Sequence, residues 1–171
     1  MYIIMLGAPG TGKGTIGAEI CKHYNLVHVA TGDIFRNEMK NHTELGKKAE
    51  EYISKGQLVP DEITIAMCEK TLDGLEGGAL LDGFPRTINQ AESLKKYLNE
   101  KGKKVTTVIN LCVPDEDIIK RTSSRIICPN KECGASYNTI FMPPKVEGIC
   151  DKCGSTLVKR KDDNPETCLL Y

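Results

Sequence analysis

Gly7-Ala8-Pro9-Gly10-Thr11-Gly12-Lys13-Gly14-Thr15 decides the reading of this chain. An apolar run, Tyr2-Ile3-Ile4-Met5-Leu6, leads into it. Behind it Ile16, Ile20, Cys21 and Tyr24 recur at near-helical spacing. Strand, glycine-rich turn and helix together form the setting of a phosphate-binding loop. Glycines let the backbone turn tightly, so that successive N–H groups converge on an anion. The helix that follows adds its unpaired donors and partial positive charge, and Lys13 adds a full charge. The spacing fits G-x-x-x-x-G-K, but Gly14 stands where the general motif has Ser or Thr, and Thr15 comes one residue later. The usual magnesium-hydroxyl role therefore does not transfer directly.

The chain has 171 residues, enough for one domain with insertions and a sizeable core. Its 23 basic and 23 acidic residues balance, which gives no argument for a nucleic-acid or membrane surface. No apolar run has the length of a membrane span, and residues 2–6 are too few for a signal-peptide core. The expected compartment is the cytoplasm, where eight cysteines argue for something other than disulfides.

The rest of the chain alternates strand and helix signals. Val27-His28-Val29-Ala30 reads as a strand, with Thr31 or Asp33 as the cap of a helix after it. Residues 43–55 read as a helix capped by Thr43 and stopped by Gly56. Residues 57–60 are extended, and Asp61 is expected to cap the next helix. Ala79-Leu80-Leu81 is a buried strand ending at Asp82-Gly83-Phe84-Pro85-Arg86. A helix from about Thr87 to Glu100, a strand from Val105 to Leu111 and a helix opening at Pro114-Asp115-Glu116 complete the pattern. The order implies an α/β fold: a three-layer, doubly wound parallel sheet. Arg121 and Arg125, four apart, are expected on one face of that last helix.

After Arg125 the texture changes. Two cysteine pairs, Cys128-x4-Cys133 and Cys150-x2-Cys153, are separated by 16 residues. Four thiolates in two close pairs suit a closed tetrahedral zinc site; disulfides and free thiols are the competing readings. Cysteines 21, 68, 112 and 168 read as small buried hydrophobes, and His23, His28 and His42 as structural or surface residues.

Four motifs occur in one order: Gly7 to Thr15, Thr31-Gly32-Asp33-x-x-Arg36, Asp82-Gly83-Phe84-Pro85-Arg86-Thr87, and Arg160-Lys161-Asp162-Asp163. From Met1 to about Thr167 the chain resembles the adenylate kinases, in particular the bacterial form with a long zinc-bearing lid. The resemblance implies a P-loop nucleoside monophosphate kinase fold. Its core would comprise residues 1–29, 60–124 and 160–171, with a monophosphate-binding insertion at 30–59 and a β lid at 125–159. It implies the reaction ATP + AMP ⇌ 2 ADP, with magnesium on ATP and a structural zinc on Cys128, Cys133, Cys150 and Cys153. Gly10, Thr11, Gly12, Lys13, Gly14 and Thr15 would hold the ATP phosphates. Thr31, Gly32, Arg36, Gln57, Leu58, Val59, Gly83, Arg86 and Gln90 would hold AMP, with Arg160 reaching its phosphate. Arg121, Arg125 and Arg160 would stabilise the transferring group, Asp162 and Asp163 would tie the lid hinge, and Asp82 with Asp33 would orient magnesium through water. Such a cation set, with no nucleophile, is what phosphoryl transfer asks of a protein.

The match stops near Thr167, where adenylate kinases continue through a helix, a strand and a final helix. The expectation is therefore a four-stranded sheet with an uncovered edge, weakened ATP binding and a tendency to self-associate in an otherwise monomeric protein. Two other readings stay open: a kinase for another small acceptor (CMP, UMP or shikimate), and a non-catalytic nucleotide- or zinc-binding module.

Overall fold

The computed structural model describes residues 1–54, 57–130 and 132–159. The chain forms two compact units. One comprises Met1–Gly7 with Lys13–Asn110; the other comprises Ala8–Gly12 with the chain from Leu111 on.

The first unit is a parallel sheet with helices. Its elements are β1 (Tyr2–Leu6), α1 (Lys13–Tyr24), β2 (Val27–Ala30), α2 (Thr31–Lys40), α3 (Glu44–Ile53), α4 (Asp61–Asp73), β3 (Ala79–Asp82), α5 (Ile88–Glu100) and β4 (Val105–Asn110). The strand order is β2-β3-β1-β4, all parallel. Among the described residues this is the expected four-stranded sheet. Tyr2 to Met5 and Ala79 to Leu81 are buried without alternation, as in strands covered on both faces. At the edge, β4 leaves Val108 55% exposed. The core joins Ile4, Val29, Leu81, Phe84, Leu94 and Leu98 across strands and helices.

Several local expectations change. On α1 the buried residues are Gly17 and Cys21, while Ile16 and Tyr24 are exposed. A helix resting on a sheet through glycine leaves its bulky neighbours outside. Helix α2 has Ala30 at its N-cap with no side-chain cap, because Thr31 turns its hydroxyl to the carbonyls of Asp82 and Gly83. Thr43 does cap α3, accepting from the Gly46 amide, but the helix ends at Ile53. Gly56 lies outside the described residues. Asp61 is the first residue of α4 after Pro60, and its carboxylate leaves the helix end to bond across to Thr87, Asn89 and Gln90.

The second unit holds α6 (Asp115–Ser123), β5 (Arg125–Ile127), β6 (Ser136–Asn138) and β7 (Val158–Lys159), the strands forming an antiparallel sheet in the order β6-β5-β7. Arg121 and Arg125 do not share a helix face, since α6 stops at Ser123 and Arg125 opens β5. The break falls at Ser124, whose hydroxyl bonds the Lys120 carbonyl and the Asn138 side chain, while Ile126 and Ile127 favour extended backbone. A small core of Cys128, Ala135, Tyr137, Cys150 and Leu157 sits beside this sheet. Cys21 and Cys68 are buried as expected, whereas Cys112 is exposed; Cys168 lies outside the described residues.

Candidate active site and metal centre

The loop between β1 and α1 has the backbone its glycines forecast. Gly7, Gly10 and Gly12 adopt φ of 137°, 82° and 99°. Thr11 closes the turn, its amide and hydroxyl both donating to the Ala8 carbonyl at 3.4 and 2.9 Å. Lys13 Nζ donates to the Gly7 carbonyl at 2.8 Å. A Cβ on Gly12 would meet nothing within 4 Å, which leaves an open face over the loop amides. On Gly10 it would strike Thr122 Cγ2 at 2.7 Å, so α6 is seated against the loop through that glycine. Gly14 and Thr15 are exposed in the first turn of α1.

Three neighbouring parallel strands end level. Met5 of β1 and Ala30 of β2 both pair with Asp82 of β3. The segments that leave these ends carry the remaining candidates of the first unit. Thr31 Oγ1 donates to the Asp82 and Gly83 carbonyls at 3.2 and 3.1 Å. Arg86 Nε donates to the Gly83 carbonyl at 2.8 Å. A methyl group on Gly83 would lie 2.8 Å from Thr31 Oγ1 and 3.0 Å from Arg86 Nη2, so only hydrogen fits in that cradle. Gly32 faces the Arg36 guanidinium in the same way, at 3.2 Å. Gln90 is 6% exposed; its amide nitrogen donates to Asp61 Oδ1 at 2.6 Å and its oxygen accepts from the Arg86 backbone amide at 2.8 Å. Residues 57–59 precede α4, with Leu58 90% exposed.

The expected magnesium carboxylates differ in setting. Asp82 is largely buried at the end of β3, with His28 Nε2 3.5 Å from its Oδ2. Asp33 is mostly exposed and takes Arg36 Nη2 at 2.7 Å. In the second unit Arg121 lies in the last turn of α6 and Arg125 on β5. Arg160, Asp162 and Asp163 lie outside the described residues.

One residue escaped the sequence. Asp61 was read as a cap, yet it gathers three side chains of the segment after Arg86. Hydrogen bonds from Thr87 first, then Gln90 and Asn89, hold its carboxyl below the usual range against the opposing effect of burial. Pro60-Asp61 at a helix start is the only local signal, and it points to capping.

Cys128, Cys133, Cys150 and Cys153 of the second unit come together as expected. Their Sγ atoms all lie within 4.8 Å of one another, with Cys128–Cys153 at 3.4 Å and Cys133–Cys150 at 3.6 Å. A tetrahedron of thiolates about 2.3 Å from zinc has sulfur–sulfur edges of about 3.8 Å, so the donor set fits that ion. The Ser155 hydroxyl and amide bring the Cys153 thiol down to about 6, whereas burial pushes Cys128 up to about 12. The Tyr137 hydroxyl, 3.5 Å from Cys150 Sγ, also accepts the Asp151 amide at 2.8 Å. This is the kind of outer contact that orients a metal ligand.

Residues 5–169 match the adenylate kinase family model. The chain belongs to the adenylate kinase family. It is 53% identical to an adenylate kinase of Caldicellulosiruptor bescii over 169 residues, covering 98% of this chain and 78% of that protein. Adenylate kinases of Oceanobacillus iheyensis and Staphylococcus aureus are 50% and 48% identical over the same length. No helix among the described residues is long and apolar enough to cross a membrane.

For an adenylate kinase loop of this shape, the two glycines should respond differently to alanine. Gly10→Ala combines a positive φ with the collision at Thr122. Together these cost about 2–4 kcal/mol, and the thermal midpoint should fall by roughly 5–10 °C. Gly12→Ala meets no atom, so it should cost less stability, while its methyl group enters the open face and weakens ATP binding. Thermal melts alongside ATP titrations of both variants check the contrast.

Proposed function

We propose that the chain catalyses reversible phosphoryl transfer from ATP to AMP, giving two ADP. The observation that carries this reading is the level ending of β2, β3 and β1. It delivers Thr31 to Arg36, Asp82 to Arg86 and Gly7 to Lys13 from the same end of one parallel sheet. Lys13 and the loop amides of Gly10 to Thr15 hold the ATP phosphates. Arg36 and Arg86 clamp the AMP phosphate, for which a planar bidentate fork is suited. Thr31, Gly32, Gly83, Gln90 and the backbone of residues 57–59 bound the adenosine.

Magnesium bound with ATP neutralises charge on the outer phosphates, and Asp82 is the carboxylate that fits orientation of its waters. Arg121 and Arg125, with Arg160, stabilise charge on the transferring group. Residues 30–59 form the AMP region and residues 125–159 the lid, hinged at Asp162 and Asp163. The lid excludes water, which would otherwise accept the phosphoryl group. Its four cysteines hold a structural zinc with no open position. A zinc held by reduced thiols fits the cytoplasm, where disulfides are rare.

Formation of ADP, followed by a coupled assay with AMP, CMP, UMP and shikimate offered in turn, tests the reading. AMP is expected to be preferred at least tenfold. Preference for another acceptor would overturn the AMP assignment. Tight nucleotide binding with no transfer to any acceptor would select a non-catalytic role.

A further inference from the structure

We infer that Asp61 is a positioning residue for the acceptor nucleotide, acting through Gln90 on the segment that carries Arg86. The inference rests on the AMP reading above and adds a residue outside the motifs. Asp61 opens α4, directly after residues 57–60. Its Oδ2 accepts from Thr87 Oγ1 at 2.6 Å and from Asn89 Nδ2 at 3.3 Å. Its Oδ1 accepts from Gln90 Nε2 at 2.6 Å. Gln90 in turn takes the Arg86 backbone amide on its side-chain oxygen, and Thr87 Oγ1 accepts the Gln90 amide at 3.1 Å.

This closed circuit has three consequences. An amide side chain has two faces that differ only in oxygen against nitrogen. The Asp61 carboxylate accepts only, so it forces the Gln90 nitrogen towards itself and the oxygen towards Arg86. That leaves one Nε2 hydrogen uncommitted for a ligand. The same circuit pins the Arg86 backbone two bonds from the side chain that also grips the Gly83 carbonyl. It also ties the start of α4, and so the adjoining stretch 57–59, to the turn after β3. Two parts of one binding surface that lie far apart in the chain thus share a single carboxylate.

Binding of AMP and of ATP to the purified chain, measured separately by calorimetry, tests this. Asp61→Ala should weaken AMP binding at least tenfold and leave ATP binding within twofold. Asp61→Asn can still offer Oδ1 to Gln90 and should stay within about threefold of the parent for AMP. If Asp61→Ala does not fold, Asp61→Ser decides: it keeps a polar group at the start of α4 but is too short to reach Gln90, and it should weaken AMP binding at least tenfold with ATP binding within twofold.

Equal AMP binding by the parent and Asp61→Ala would overturn the inference and leave the AMP reading standing. Equal weakening of AMP and ATP by Asp61→Ala or Asp61→Ser would reduce Asp61 to a structural residue and overturn it too. A parent chain that binds no AMP would remove the reading and the inference together.

Discussion

Lys13→Met is expected to lower turnover by about 10³-fold, because it removes a fixed positive charge at the point where charge develops on the transferring phosphates. Methionine nearly matches the length of the lysine stem, so the loop keeps its packing. What goes is the ammonium and its bond to the Gly7 carbonyl. That bond is a minor contribution to stability, about 1 kcal/mol, so the thermal midpoint should move by only a few degrees. Turnover should therefore collapse with folding intact, and AMP binding measured alone should change little. Turnover of the variant within tenfold of the parent would refute the role given to Lys13.

The second large effect concerns the lid. Stripping the metal should unfold residues 125–159 while leaving the parallel sheet intact. The core beside the antiparallel sheet consists, among the described residues, of five buried residues, and two of these, Cys128 and Cys150, are themselves candidate ligands. So small a core cannot order the segment, whereas structural zinc supplies about 10–16 kcal/mol of binding free energy in small domains. Cys150→Ser should behave like chelation, since Cys150 is 2% exposed and joins Cys133 and Tyr137 at the centre of the cluster. Metal analysis should find one zinc per chain in the parent. Limited proteolysis should then cut the stripped protein and the Cys150→Ser variant within the lid, with the sheet unit persisting as a resistant fragment. Unchanged lid resistance after complete chelation would exclude a structural metal.

Much of this molecule was legible because its signals are local. The loop from Gly7 to Thr15 is recognisable since positive φ at Gly10 and Gly12 demands glycine on the spot. The strand Ala79-Leu80-Leu81 is readable as doubly covered because burial on both faces removes alternation. The metal candidates are legible from spacing, since two short cysteine pairs each bring two sulfurs within reach of one ion.

Where residues meet across the sheet, local signals mislead. Arg121 and Arg125 looked like one helical face because nothing in a four-residue spacing reports that Ser124 ends the helix. The apolar spacing on α1 named Ile16 and Tyr24, yet the sheet accepts the helix through Gly17, where a methyl group would already press on His28, Met5 and Leu80. Asp61 carries every mark of a helix cap, and its three partners lie 26 to 29 residues away.

The sequence alone therefore determined the chemistry on offer: a phosphate-gripping loop, a set of arginines and four thiols. Each of these depends on backbone freedom or residue type at one place. Only the tertiary structure decided their company, because the strand order β2-β3-β1-β4 sets which loops emerge side by side. That order places Thr31 against Gly83 and His28 against Asp82, residues far apart in the chain that the pairing of β2 with β3 brings together. Such pairing follows from the burial of the whole sheet, a property that no single segment encodes.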